Sequence, residues 1–236
     1  MSTGAHEALL PHVLLLPGAG TSPAYWDRLR HVLSARGVAS TAVDLPCEDD
    51  SATLATYAQL TAQAAERALR TGPRPVMLVA HSFGGFTAGL VPDLVPVQRI
   101  VLLGAMIPAP GESGSQWWQN TGQQEAHEAA ARAAGLSLPL SFTDLFYNGF
   151  SPAQVTQAAA WERDQAGTPF EQPWPRDSWP DVPTSVIGFT DDRLLPPDLL
   201  RRVATQRLHA ALQLTPGGHM GMVSHPHELA EALLRA

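Results

Sequence analysis

Short apolar runs alternate with amphipathic, helix-length segments along most of this chain. The apolar runs fall at 12–16, 38–43, 76–80, 100–103, 184–189 and 211–214. Continuous apolar runs of that length suit strands covered on both faces, as in a parallel sheet between layers of helices. Helical patterns occupy 25–35, 52–70, 83–90, 197–206 and 226–235. In the second of these, Leu54, Tyr57, Ala58 and Ala65 line up as a stripe, and Gly72-Pro73 closes the segment. Alternating strand and helix predict a right-handed, doubly wound α/β fold with about six mostly parallel strands.

One stretch breaks the alternation. Between Pro108 and Pro183 no clean strand pattern occurs, yet five of the six tryptophans fall there: Trp117, Trp118, Trp161, Trp174 and Trp179. Helical patterns at 123–134 and 152–165 precede a proline-rich exit at 169–183. An aromatic insert of this length reads as a lid over a binding site, the plainer alternative being a satellite core. The expected organisation is a core of residues 1–107 and 181–236 with 108–180 as the inserted lid. Trp117 and Trp118 are its candidate substrate contacts.

Composition narrows the function. With 236 residues, 44% hydrophobic and 16% charged, a large buried core is expected and a disordered chain is not. The net charge of −7 comes with no basic cluster beyond pairs, which argues against nucleic acid or an anionic membrane as partner. A single cysteine, Cys47, excludes an intrachain disulfide and a thiolate metal site. No apolar run approaches a membrane span and no leader pattern is recognisable, so a cytoplasmic location is expected.

Within this frame Ala80-His81-Ser82-Phe83-Gly84 stands out, directly after an apolar run and before a helical one. Small-x-Ser-x-Gly at a strand-to-helix junction is the pattern of a nucleophile elbow. There the serine is strained onto a sharp turn, so its neighbours must have little bulk. The alternative is a serine capping an ordinary helix. A serine hydroxyl needs a base, and in this architecture the order along the chain is Ser, acid, His, each after a later strand. Of nine histidines, His219 follows the last apolar run, behind Gly217-Gly218. His6 and His12 lie near the N-terminus, His225 and His227 flank Pro226, and His81 should point away from Ser82. The acid should follow 184–189, where Asp191 and Asp192 are both available. After the first run, Pro17-Gly18-Ala19-Gly20 lets backbone approach a ligand at Gly18, although the segment alone also fits a phosphate loop or a turn. The N–H groups of Ala19 and Phe83 are the expected oxyanion donors.

Together these residues resemble the α/β-hydrolase superfamily, and within it the plant methyl esterase and hydroxynitrile lyase group. The closest segments are Gly218-His219-Met220-Gly221-Met222-Val223-Ser224-His225-Pro226 and Thr190-Asp191-Asp192-Arg193 with Pro196. The resemblance implies Asp192 as the acid, by its distance from Pro196. Phe146-Tyr147-Asn148 is similar to the lid of bacterial relatives and implies Phe146 as a substrate contact. Two departures stand: Pro17-Gly18 replaces the group's His-Gly, and the loop from Gly18 to Trp26 is longer than in the plant proteins. Hydroxynitrile lyases of the group carry threonine and lysine where this chain has Gly18 and Met220, both substrate-facing positions, so the resemblance implies the esterase branch.

The expected function is therefore a serine carboxylesterase. It would act on a small apolar ester, with Ser82, His219 and Asp192 as triad and no metal or organic cofactor. Lyase or carbon–carbon bond hydrolysis on the same triad, and a receptor-like ligand-binding role, are the alternatives.

Overall fold

The computed structural model describes residues 9–72 and 74–236; His6 and Pro73, noted above, lie outside them. The six expected strands form: β1 (His12–Leu16), β2 (Ser40–Ala42), β3 (Val76–His81), β4 (Arg99–Leu103), β5 (Thr184–Phe189) and β6 (Leu212–Thr215). They make one sheet in the order β2-β1-β3-β4-β5-β6, and every neighbouring pair is parallel.

Strand alternation sends side chains to two separate cores. Leu14, Leu16, Leu78, Ala80, Ile100, Leu102 and Val186 face one side. There they meet α2 (Leu54–Arg70), α3 (Gly84–Ala88) and α9 (Pro197–Leu208), while Val13, Leu15, Met77, Val79, Val101, Leu103 and Ile187 face the other. That second side is covered by α1 (Asp27–Ala35) and α11 (Pro226–Arg235). The expected stripe on α2 is buried, and a reciprocal cap between Thr53 and Thr56 starts the helix.

The segment 108–180 leaves the sheet after β4 and carries α4 (Gly114–Asn120), α5 (Gln123–Ala133), α6 (Phe142–Phe146), α7 (Pro152–Ala158) and α8 (Thr168–Glu171). Its start is anchored by Glu112, 4% exposed, whose carboxylate pairs with Arg207 and accepts from Asn120 Nδ2 and Ala109 N–H. A short α10 (Gly221–Ser224) precedes α11. Among the described residues no helix is long and apolar enough to cross a membrane, and no cluster of His, Cys, Asp and Glu could hold a metal ion.

Two expectations for the insert need correction. The helix expected over 152–165 stops at Ala158, a turn follows, and Glu162 is bridged antiparallel to Thr21. Pairing with a distant loop outcompetes the local helical pattern, as tertiary contacts commonly do. The second concerns Trp117, expected as a substrate contact, which is core instead. Trp117 is fully buried and donates its indole N–H to Ile107 O, and Trp174 donates to Phe86 O against α3.

Candidate active site

The chain passes from β1 outward to β2, then returns to β3 on the other side of β1. Loops that leave β1 and β3 therefore diverge, and a crevice opens at the carboxyl ends of these strands. Gly18 follows β1 and Ser82 follows β3, and a Cβ on Gly18 would stand only 2.9 Å from Ser82 Cβ. Ser82 has φ +52°, in the left-handed region that costs a non-glycine residue about 1–2 kcal/mol. Its backbone is held there: Ser82 O accepts from Gly85 N–H and Met106 N–H, and Ser82 N–H donates to Leu103 O. Gly85 lets this happen, since a Cβ on it would lie 2.1 Å from Met106 O.

The loops after β5 and β6 are stitched together by Thr190 N–H to Thr215 O and Asp191 N–H to Gly217 O. This brings Asp192 and His219, 3% and 1% exposed, into contact. Asp192 Oδ1 accepts from the N–H groups of Leu194 and Leu195 at 2.9 and 2.8 Å, and Oδ2 accepts from His219 Nδ1–H at 2.8 Å. The proton on Nδ1 leaves Nε2 as an acceptor, and Nε2 is buried with no partner among the described residues, Ser82 Oγ included. Such bonds are often long in free enzymes and close with substrate in place. Asp191 is exposed and its carboxylate accepts only from the neighbouring Thr190 hydroxyl among the described residues.

The His81 ring packs on Tyr25 and Trp26 and ties the site together. Tyr25 Oη accepts from Gly18 N–H and donates to His81 Nδ1, while His81 Nε2–H donates to His219 O. The two rings lie 4.6 Å apart. Burial, with the His219 ring as a lesser cause, holds the His81 pKa well below the ordinary imidazole value. A group that stays neutral in the fold but protonates when unfolded loses stability as pH falls below the unfolded pKa of 6.5, towards the lowered folded value. Denaturant midpoints should accordingly fall on acidification, this site contributing to the slope below pH 6.5. His12, also lowered by burial, adds to the slope, so the difference between wild type and His81→Gln isolates the term. An unchanged slope in His81→Gln would refute it.

The N–H groups of Ala19 and Phe83 have no acceptor among the described residues. They border a cavity of about 380 Å³ that also takes in Gly18, Ser82, His219, Trp118, Phe146 and Met220. Trp117 does not reach it: its ring is committed to the core beneath α4, while Trp118, one residue on, turns to the other side. Residues the sequence reading passed over complete the wall. Phe170 stacks on Phe83 with ring centres 3.8 Å apart, and Met106, Phe142 and Leu194 add apolar surface. The polar part of the wall is Thr21, Glu162, Arg163 and Gln165, from the two segments that pair across the Thr21–Glu162 bridge. The aromatic positions could have been suspected from the insert's composition. Arg163 and Gln165 carried no local signal.

A six-stranded parallel sheet between helical layers, with a serine of positive φ in the turn after β3, is the arrangement of the α/β-hydrolase fold. Residues 13–232 match the model of the alpha/beta hydrolase family, and the chain belongs to that family. No curated protein sequence matches it significantly. Among solved structures it resembles an extracellular alpha/beta-hydrolase from a Paenibacillus species at 20% identity and TM-score 0.74, over 96% of this chain and 98% of that one. A pyrethroid hydrolase from Sphingobium faniae is similar at 22% identity and TM-score 0.69, over 96% of each chain. A methylesterase from Arabidopsis matches at 22% identity and TM-score 0.70, over 96% and 98%. At these identities the likeness is one of fold.

Proposed function

We propose that this protein is a serine carboxylesterase for a small, fairly apolar ester. One observation carries the reading. The strained Ser82, a buried His219 whose Nε2 is free to accept, and two unengaged N–H groups border a single apolar cavity. In the reaction Ser82 Oγ attacks the ester carbonyl carbon while His219 Nε2 takes the hydroxyl proton. The oxyanion forms between Ala19 N–H and Phe83 N–H. Collapse breaks the bond to the leaving oxygen, which receives the proton from Nε2 and departs as alcohol. Water then gives a proton to Nε2 as its oxygen attacks the acyl carbon; on collapse Ser82 Oγ takes that proton back from Nε2 and the carboxylic acid leaves. Asp192 stabilises the imidazolium at both stages. No step needs a metal or organic cofactor. The Arabidopsis methylesterase, named for an ester substrate, supports the reading by analogy of fold, and Gly18 and Met220 agree with hydrolysis over lyase chemistry.

A fluorophosphonate probe tests it. Stoichiometric modification on the peptide containing residues 81–86 is expected, together with loss of ester turnover in Ser82→Ala. Labelling at another serine with Ser82 untouched would sink the proposal.

The two adjacent tryptophans should separate cleanly. Trp118→Ala opens apolar volume in the cavity wall and is expected to raise the relative rate on longer esters. Trp117→Ala should instead destabilise the fold by about 3–5 kcal/mol, through loss of a buried indole. Chain-length profiles and unfolding midpoints of both variants check this, and an unchanged profile in Trp118→Ala contradicts it.

A further inference from the structure

The longer loop after β1 and the second glycine of Pro17-Gly18-Ala19-Gly20 are not accounted for by the nucleophile, base or acid. Their partner is the returning segment of the insert. Ser22 N–H donates to Trp161 O and Arg163 N–H to Gly20 O, each at 2.8 Å, on either side of the Thr21–Glu162 bridge. Arg163 Nη2 donates to Thr21 O and, beyond the loop, to Leu45 O. Gly20 N–H donates to the side-chain oxygen of Gln165 at 3.1 Å. Gly20 has φ +59°, and a Cβ there would stand 2.8 Å from Arg163 O, so the close pairing is possible only with glycine.

The amides on either side of Ala19 are therefore both tied down. Gly18 N–H is held by Tyr25 from the core, and Gly20 N–H by Gln165 from the insert. Ala19 N–H, between them, has no acceptor among the described residues. The peptide plane between them is held as well: its carbonyl, Gly18 O, accepts from Thr21 Oγ1 at 3.2 Å, and planarity then sets the direction of the Ala19 N–H opposite. The geometry points to Gln165 as a positioning residue: by accepting from Gly20 N–H it aims Ala19 N–H at the site of the developing oxyanion. The insert then completes the oxyanion hole as well as covering the cavity. This rests on the esterase reading and adds to it a dependence of transition-state binding on the insert.

Gln165→Leu and Gln165→Glu in the full-length chain test the inference, with Ser82→Ala as reference. Removing an oxyanion donor outright costs about 10²–10³ in kcat, so a misdirected one should cost part of that, about tenfold to thirtyfold, in Gln165→Leu. Gln165 borders the cavity, but its amide is engaged with Gly20 N–H, Ala166 O and Tyr57 Oη, so KM should stay within about twofold and the loss in kcat should be the same for short and long acyl chains. A trifluoromethyl ketone, which adds Ser82 Oγ to form an oxyanion, should weaken by the factor seen in kcat/KM. The matching secondary alcohol, which forms no oxyanion, should bind as before. Gln165→Glu keeps an oxygen for Gly20 N–H but sets its second oxygen where Nε2 donates to Ala166 O, so it should recover only part of the rate. Unfolding midpoints verify that both variants are folded. Wild-type kcat in Gln165→Leu, or equal losses for ketone and alcohol, would overturn the inference while an inactive Ser82→Ala leaves the esterase reading standing. An active Ser82→Ala would remove that reading itself.

Discussion

His219→Ala is expected to lower kcat for ester hydrolysis by roughly four to six orders of magnitude, with the fold intact. Residues of a triad act as a unit, and removing the base alone costs nearly as much as removing all of them. The site has no substitute. His81 is the nearest other imidazole, but its Nδ1 accepts from Tyr25 and its Nε2–H is committed to His219 O. His225 sits beyond α10, with Nδ1 bonded to the Ser224 hydroxyl, and His225→Ala should leave kcat within about twofold. Purified variants assayed on one activated ester suffice. Comparable losses in both would show that the wrong ring has been assigned.

The adjacent aspartates should differ almost as sharply. In Asp192→Asn the oxygen of the amide stays with Leu194 N–H and Leu195 N–H, which can only donate. The amide NH₂ is then turned to His219 Nδ1, which must accept, and the ring proton moves to Nε2. An imidazole protonated at Nε2 cannot take the serine proton, and the imidazolium that would form has lost its counter-charge. A loss of about 10²–10⁴ in kcat follows. Asp191 is exposed, so water screens its field, and Asp191→Asn should lose less than about tenfold. Steady-state kinetics decide between them, and a larger loss in Asp191→Asn would reverse the assignment.

Why one aspartate and not the other illustrates where sequence reading stops. Both follow β5, and both offer the same group. Resemblance favoured Asp192, but the residues themselves left the pair open. Burial and a hydrogen-bond geometry that engages both carboxylate oxygens distinguish Asp192, and these arise only when the loops after β5 and β6 are stitched together. Trp117 and Trp118 pose the same difficulty. Neighbours on a helix point about 100° apart, so composition could mark the insert as aromatic without telling which ring reached the cavity.

What the chain's own pattern determined was everything local or periodic. Continuous apolar runs specified a parallel sheet, since few other arrangements cover a strand on both faces. Small residues around Ser82 specified the elbow, because steric exclusion acts between near neighbours in sequence. The order in which a serine, an acid and a histidine were sought followed from the topology those runs imply. Tertiary structure alone decided the long-range partners: Gly20 with Gln165, Tyr25 with His81, Phe83 with Phe170. The segment 161–165 shows the reason most plainly. Its residues read as the end of a helix, yet they are not helical, because hydrogen bonds to a loop some 140 residues away outweigh a preference worth only tenths of a kcal/mol per residue.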